Sequence, residues 1–346
     1  MTKSRRTFVL RRGTAAAVAC AALLLAGCDG AAGVELSKDW SGVEVFVLSR
    51  VDDLTTVVGV DPVARVGKPL AVVPTQSDDD EVRSPQIVRL TTGEWIINIP
   101  KKDGRPSALY RIDTGGHSLE RVGTVEAERA LVPVGAVVAA LSTAAASTAG
   151  KAEALMYDPA TWKSDRAVAL PTDPGLAAGG TDDLCTATAD GAGSKVTVVP
   201  VGAGRAPTTT TIAQLQVQAL TCDGDRVAVA GGTATGEGAG EGVRLTTVDG
   251  ADVVTTAAGR VDRIAATKDA LTVVVSSPAG VRVSTLRRSD GKVAGTVDLT
   301  GIDGATGLHQ VTKGWLLTSG GTAAVVSPET GKAETFTLPG QLLSAD

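Results

Sequence analysis

Beyond residue 28, short apolar runs rich in Val, Ile, Thr and Leu alternate with turns rich in Gly, Asp and Pro. None of these runs keeps the 3.6-residue spacing of apolar positions that marks a long amphipathic helix. Short runs of β-branched and aliphatic residues bounded by turn-forming residues are typical of strands. The pattern therefore predicts an all-β protein built from many short strands.

The predicted strands recur in a repeating unit. The segments Leu109–Gly115, Leu155–Pro159, Ser284–Lys292 and Val325–Lys332 each contain an apolar strand followed by a turn of the D-x-x-T-G or S-D-G-K kind. With weaker copies, such turns fall near residues 61, 113, 158, 200, 249, 290 and 329. A spacing of about 40–50 residues is the period of a four-stranded propeller blade. The turns predict a seven-bladed β-propeller of four-stranded blades.

The last two complete blades can be assigned strand by strand, from the inner strand outward. The sixth blade is predicted to contain Asp262–Thr267, Leu271–Ser276, Val281–Leu286 and Lys292–Leu299. The seventh is predicted to contain Leu308–Thr312, Trp315–Ser319, Thr322–Val326 and Ala333–Leu338. Trp95 and Trp315 occupy the same place in two blades, just after the first turn, where packing between blades is favoured over a ligand platform.

The two ends of the repeat complement each other. Val43–Leu48, Thr55–Val60 and Arg65–Val73 make only three strands, and no inner strand precedes them. Gln341–Asp346, after the last outer strand, has the pattern of an inner strand. We predict that this C-terminal strand closes the first blade, because a closed ring leaves few exposed strand edges.

This layout resembles the bacterial envelope propellers of the PQQ-like and YVTN type. The resemblance rests on the D-x-x-T-G-K turn and covers residues 40–346. The G-H…W-D pattern of WD40 blades is absent. The aromatic packing of true quinone-cofactor enzymes is also missing, since only Trp40, Trp95, Trp162 and Trp315 are present. We therefore expect no cofactor.

The N-terminus has the features of an export signal. A basic segment without acidic residues precedes the apolar run Ala15–Leu25, which is shorter than the roughly 20 residues that a transmembrane helix needs. Ser4–Leu10 reads S-R-R-T-F-V-L and resembles the twin-arginine signal S-R-R-x-F-L-K, departing at its last two positions. The resemblance implies that Arg5 and Arg6 direct the chain to that export route. A general secretory signal that happens to contain paired arginines is the alternative.

A lipid-attachment motif follows the export signal. The residues before and at Cys28 read L-A-G-C and match the bacterial lipobox. This resemblance implies diacylglycerol on the Cys28 thiol, cleavage before Cys28 and acylation of the new amine, an anchor of two or three chains that holds firmly. The predicted organisation is a signal peptide at 1–27, a lipidated linker at 28–39 and a propeller at 40–346. The predicted location is the extracytoplasmic face of the bacterial cell membrane.

The net charge of the chain disfavours two classes of partner. Residues 1–27 contain five basic and no acidic residues, so their removal changes the net charge from −5 to −10. An acidic chain is a poor candidate for nucleic-acid binding, which needs clustered Lys and Arg. It is also a poor candidate for a polybasic membrane patch, which leaves the lipid as the predicted contact with the membrane.

The positions of the four cysteines indicate different roles. Cys20 lies in the signal and Cys28 is the predicted lipid site, which leaves Cys185 and Cys222 in the propeller. An even pair in an oxidising compartment favours a disulfide over two free thiols. The predicted strands place both cysteines on the same face of neighbouring blades, so that a bridge is feasible.

Candidate chemistry is sparse. The acidic run Asp78–Glu81 has oxygen ligands for a hard cation but lacks the spacing of a calcium loop, so a solvated loop is favoured. Asp182 and Asp183 could form a pair of acids for hydrolysis. The favoured alternative is that they lie in a solvated turn. His117 and His309 are interpreted as structural, although His309 on an inner strand could line the channel mouth. We predict neither a metal site nor catalytic residues.

The inner strands read Ile-Ala-Ala-Thr, Ala-Leu-Thr-Cys and Leu-Ala-Ala-Gly, which are small and poor in acids, bases and cations. This composition favours a membrane-anchored binding or scaffold propeller for an unknown protein, glycan or envelope component. The alternative is an extracytoplasmic enzyme, either a glycan or ester hydrolase or a quinone-type dehydrogenase. A third hypothesis, an assembly factor for exported proteins, would require a broad apolar patch on one face.

Overall fold

The computed structural model describes residues 34–74, 85–100, 105–126, 129–142, 151–171, 173–191, 193–202, 205–223, 226–233, 243–247, 252–256 and 259–345. Within these ranges 29 strands form seven antiparallel sheets, and the only helical element is a three-residue 3-10 turn at Pro328–Thr330. No helix in the described part of the chain has the length and apolar character needed to cross a membrane.

Blade 1 combines both ends of the described chain. Its strands, from the inner strand outward, are β29 (Gln341–Ser344), β2 (Val45–Val51), β3 (Leu54–Asp61), β4 (Val66–Val72) and β1 (Val34–Glu35). The C-terminal strand pairs antiparallel with β2, with Gln341 opposite Arg50, which confirms the predicted closure. The short β1 pairs with the outer edge of β4 and makes a fifth strand within the segment expected to be a linker.

Blades 2 to 4 follow in chain order, each with four strands from the channel outward. They are β5 (Gln86–Arg89), β6 (Trp95–Ile99), β7 (Ser107–Asp113) and β8 (Ser118–Val125); β9 (Ala130–Val134), β10 (Val137–Ser142), β11 (Glu153–Asp158) and β12 (Lys163–Ala169); and β13 (Leu176–Gly179), β14 (Asp183–Asp190), β15 (Gly193–Pro200) and β16 (Thr208–Ala213).

Blades 5 to 7 have the same arrangement. They are β17 (Leu215–Asp223), β18 (Arg226–Thr233), β19 (Val243–Thr247) and β20 (Asp252–Thr256); β21 (Arg260–Ala266), β22 (Ala270–Ser277), β23 (Gly280–Arg287) and β24 (Val293–Leu299); and β25 (Gly307–Val311), β26 (Gly314–Ser319), β27 (Thr322–Ser327) and β28 (Lys332–Thr337). The seven-bladed architecture and the strands predicted for the last two blades are confirmed, with ends that differ by one or two residues.

The repeated aspartates mark the turn between the third and the outer strand. At the end of β7, Asp113 Oδ1 accepts hydrogen bonds from the backbone N–H groups of Gly115 and Gly116 at 3.0 and 2.9 Å. Asp61 and Asp158 do the same for backbone N–H groups after β3 and β11. An aspartate side chain that accepts from the backbone two or three residues ahead stabilises a tight turn, which explains why Asp recurs with the blade period.

The hydrophobic core lies between blades. Six buried clusters fill the spaces between neighbouring blades, and the largest of them spans blades 7, 1 and 2. All four tryptophans are buried there, so the interpretation of Trp95 and Trp315 as packing residues is confirmed. The Trp95 ring packs edge-on against Phe46 of blade 1, with 5.7 Å between ring centres.

Four contacts between blades have the same design. A side-chain oxygen on one inner strand accepts a hydrogen bond from a backbone N–H at the inner edge of the next blade, at 2.8–3.2 Å. The pairs are Ser344 with Ile87, Gln86 with Leu131, Gln218 with Val261, and Asp262 with Ala305. In the last three pairs the two residues are 43 or 45 positions apart, which is one blade period. These bonds link consecutive blades around the channel.

The remaining contacts between blades use other means. Between blades 3 and 4, the Gly135 N–H donates to the carbonyl oxygen of Gly180 at 2.9 Å. The backbones approach so closely there that a Cβ on Gly179 would lie 1.7 Å from the carbonyl oxygen of Pro133. Between blades 7 and 1, the Thr312 N–H donates to Glu44 Oε2 at 2.8 Å.

A disulfide joins blades 4 and 5. Cys185 on β14 and Cys222 on β17 are bonded, which confirms the predicted pairing. Both side chains are buried within the cluster between these two blades. The residues are 37 positions apart, and closing a loop of that length in the unfolded chain is worth about 4 kcal/mol in the chain-entropy treatment.

Truncation after Gly340 removes the inner strand of blade 1 and is expected to lower the free energy of unfolding by roughly 3 kcal/mol or more. The loss comprises the apolar burial of Leu342, Leu343 and Ala345 and the ladder to β2. The measurement is denaturant unfolding. Deletion of Val34–Glu35, which removes only the outer strand of the same sheet, is the control and should cost less than 1 kcal/mol. Equal losses in the two variants would contradict closure by the C-terminal strand.

Candidate functional site

The inner strands surround a central cavity of about 760 Å³. Small and aliphatic residues form most of its wall, because inner strands such as β13 read Leu-Ala-Ala-Gly and bring little side-chain volume to the axis. A second cavity of about 530 Å³ adjoins it where blades 4, 5 and 6 meet. We call the larger space the central channel.

Most of the neutral polar side chains along the channel hold blades together. Gln86, Gln218 and Ser344 each accept a hydrogen bond from the next blade. Gln86 also donates from Nε2 to the carbonyl oxygen of Leu131 at 2.8 Å, so that both ends of its amide are used. These side chains are therefore structural even though they line the cavity.

Asp262 is the one carboxylate among the described residues that line the channel. It accepts hydrogen bonds from Arg260 Nε at 2.9 Å, Ser276 Oγ at 3.1 Å and the Ala305 N–H at 2.8 Å. Its side chain is only 2% exposed. A carboxylate held by three donors in the wall of the channel fixes the contact between blades 6 and 7 and is poorly placed to act as an acid or a base.

Two arginines bring positive charge to the channel. Arg89, at the end of β5, lines the cavity with its Cζ 5.6 Å from the centre of the Trp95 ring. Arg263, on β21, donates from Nη1 to the carbonyl oxygen of Asp262 at 2.8 Å and from Nη2 to that of Thr306. The structure thus differs from the expectation of inner strands poor in cations. β5 is not among the strands assigned from the sequence. The predicted inner strand Asp262–Thr267 contains Arg263, but the Ile-Ala-Ala-Thr run by which it was characterised begins only after that residue.

His309, on β25, is close enough to both arginines to be influenced by their charge. Its ring centre is 5.9 Å from that of Trp95, and its Nε2 is buried with no hydrogen-bond partner among the described residues. Burial, followed by the charges of Arg89 and Arg263, lowers the pKa of His309 to about 4. His309 is on an inner strand as predicted; the residue is partly exposed although its Nε2 is buried, and it is not among the residues that line the cavity. It is a neutral structural histidine at pH 7.

The other predicted candidates lie apart from the channel. His117 adopts φ 54° in the turn before β8, and its ring stacks on Trp40 with 5.2 Å between centres. Asp182 is exposed, whereas Asp183 is buried and pairs with Arg205 at 3.1 Å, so the two carboxylates do not converge and only Asp182 fits the solvated turn.

Several of the predicted site residues lie outside the described ranges, namely Arg5, Arg6, Cys28 and the acidic run Asp78–Glu81. The predicted export signal, lipid site and solvated loop therefore stay predictions. Among the residues that the structure does describe, no group of three or more His, Cys, Asp or Glu side chains is placed to hold a metal ion.

No family model matches the chain, and none of the curated proteins does. Among solved structures, Sqt1 of Saccharomyces cerevisiae is similar with a TM-score of 0.52 at 11% identity, over 89% of this chain and 87% of that chain. Hsv2 of Kluyveromyces lactis has a TM-score of 0.50 at 11% identity, over 75% and 83%.

A structure from a study of two prolyl endopeptidases is also similar, with a TM-score of 0.55 at 14% identity. The likeness covers 82% of this chain but only 46% of that chain, so it concerns less than half of the endopeptidase. At such low identities, all three likenesses show the fold alone.

The lowered pKa of His309 predicts that the free energy of unfolding depends on pH. In the unfolded chain a histidine titrates near pH 6.5, whereas folded His309 resists protonation down to about pH 4. Stability is therefore full above pH 6.5 and is lost as the pH falls from 6.5 towards 4, by up to about 3 kcal/mol. The measurement is denaturant unfolding across this range. His309→Gln should remove this part of the loss, whereas His117→Asn should retain it, and identical profiles for His309→Gln and the wild type would disprove the assignment.

Proposed function

We propose that the protein is a lipid-anchored binding propeller on the extracytoplasmic face of the bacterial cell membrane, where it recognises a protein, glycan or other envelope component. The observation that carries the proposal is the central channel of about 760 Å³, whose polar side chains mainly hold the blades together. A rigid ring with an accessible cavity suits recognition, since it positions contact residues without requiring rearrangement.

The position of the predicted anchor agrees with this role. Only residues 29–33 separate Cys28 from β1, so an extended chain would place the start of β1 within about 20 Å of the lipidated residue. β1 forms the outer edge of blade 1. Leu36, Val63 and Val66, which are 47, 48 and 39% exposed, lie on or beside the outer strands of the same blade.

The enzyme alternative finds less support in the channel. A hydrolase of the two-carboxylate kind needs a pair of acids across the scissile bond. Among the described residues, Asp262 is the single acid in the channel wall and it is held by three donors. His309 is not among the residues that line the cavity. The binding role is therefore the proposal, and the similarity to a prolyl endopeptidase adds only the fold.

The anchor is tested by Cys28→Ala in the full-length chain. Loss of the thiol should abolish acylation and shift the protein from the membrane fraction to the soluble extracytoplasmic fraction. The measurements are mass spectrometry of the mature N-terminus and membrane fractionation. Cys20→Ala, which changes a cysteine within the predicted signal, is the control and should leave acylation unchanged. Full membrane retention of an unacylated Cys28→Ala protein would contradict the lipid anchor.

The binding role is tested by site-specific photo-crosslinking in living cells. A photoreactive amino acid at Thr91, an exposed residue of the channel lining, should capture one stoichiometric partner that mass spectrometry identifies. The same group at Val293, which is 51% exposed on the outer strand of blade 6, is the control. Equal background at both positions would contradict recognition through the channel and would return weight to the enzyme alternative.

A further inference from the structure

The outermost strands of the blades differ in how their free edges are protected. An edge strand presents unpaired N–H and C=O groups that can pair with another chain, and charged side chains, bulges or short length usually prevent this. Six of the seven outermost strands in the described part of the chain carry a charged residue, namely β1, β8, β12, β20, β24 and β28. The register also shifts where β8, β12, β20 and β24 pair with the preceding strand.

Strand β16, the outer strand of blade 4, has none of these protections. It reads Thr-Thr-Thr-Thr-Ile-Ala, and Pro207 precedes it without interrupting it. All six of its residues pair with β15 without a shift in register, from Thr208 opposite Val198 to Ala213 opposite Gly193. Among the strands that the structure describes, β15 is its only neighbour in the sheet. Blade 4 therefore ends in a regular, uncharged strand edge.

The side chains of β16 suit pairing with a threonine-rich strand. Thr208, Thr209 and Thr211 are exposed, whereas Ile212 packs into the cluster between blades 4 and 5. Threonine is β-branched and favours extended backbone, and threonines that face each other across strands can form a hydrogen bond. The sheet of blade 4 already contains such a pair, since the hydroxyl oxygens of Thr197 and Thr209 are 3.0 Å apart. A second strand of the same composition would extend this pattern.

The charge distribution favours a second copy of this chain as the partner. Like charges directly opposite each other destabilise paired strands, and two copies of β16 bring none together because the strand has no charged residue. Lys195, the one charged residue of the neighbouring strand β15, is paired with Asp190 at 3.0 Å. The two strands that form this edge therefore carry no unpaired charge, although the predicted mature chain has a net charge of −10.

We propose that the protein associates with a second copy of itself through the free edge of β16. The two strands pair antiparallel about a twofold axis, which places the four threonines of one copy against those of the other and joins the two sheets. The edge of a six-residue strand is small beside the roughly 1,200–2,000 Å² that stable interfaces bury, so the association is reversible. It goes beyond the binding function proposed above and does not depend on the central channel.

The test is photo-crosslinking in living cells that produce two differently tagged copies of the full-length chain. A photoreactive amino acid at Thr208 should give a product that contains both tags, and mass spectrometry should locate the crosslink on β16 of the second copy. The same group at Thr335, an exposed threonine on the charged outer strand β28, is the control and should give at least tenfold less of this product. Equal yields at the two positions, no product, or a product with a different protein alone would overturn the proposal.

Matched variants in the chain labelled at Thr208 test the role of charge. Thr209→Lys with Thr211→Lys adds positive charge to both edges and should reduce the product with both tags at least fivefold. Thr209→Val with Thr211→Val keeps an uncharged, β-branched edge and should retain at least half of it. Thr335→Lys with Thr337→Lys, the same change of charge on β28, should also retain at least half. If the first variant fails to fold, Thr211→Lys alone decides, and equal losses from the two lysine pairs would overturn the proposal.

Discussion

Closure of the ring is the constraint on which the rest of this structure depends. Seven small sheets cannot each bury two faces alone, so each one packs against its neighbours, and the hydrophobic core is divided among the spaces between blades. Apolar contact is non-directional and does not define the register of one blade against the next. The inner-strand bonds from Ser344, Gln86, Gln218 and Asp262 supply that direction, since each joins a side-chain oxygen to one particular N–H of the next blade.

The same constraint shapes the channel. A polar side chain on an inner strand that links two blades is no longer available to a ligand, and a buried polar group left without a partner would be costly. The wall is formed mainly by small and aliphatic side chains, with Arg89 and Arg263 also among its residues. Burial, followed by the nearby charges of Arg89 and Arg263, lowers the pKa of His309 and keeps its ring neutral at pH 7. The contacts that hold the ring together thus determine much of the chemistry of the channel wall.

Blade 1 contains strands from both ends of the described part of the chain. Blade 1 takes its inner strand from the C-terminus and its outermost strand from the segment that follows the predicted lipid site. The ring is therefore closed on its inner side by β29, while β1 forms the outer edge of the same sheet.

The sequence by itself determined what depends on local chemistry. Short apolar runs bounded by turn-forming residues identified the strands, and the spacing of the turns predicted the number of blades. Asp61, Asp113 and Asp158 accept hydrogen bonds from the backbone two or three residues ahead, which is why Asp recurs in these turns. The missing inner strand of the first blade predicted the C-terminal closure. Only the tertiary structure decided which side chains meet across blades, since Gln218 and Val261 are 43 residues apart and Ser344 and Ile87 are 257 apart. β1 has only two residues, which is too short to show a strand pattern in the sequence. Arg89, Arg263 and His309 are far apart in the chain, so no local sequence pattern shows that Arg89 and Arg263 influence His309. The disulfide between Cys185 and Cys222 depends on both levels. The even number of cysteines predicted the bond, and the packing of blades 4 and 5 brings the two sulfur atoms together.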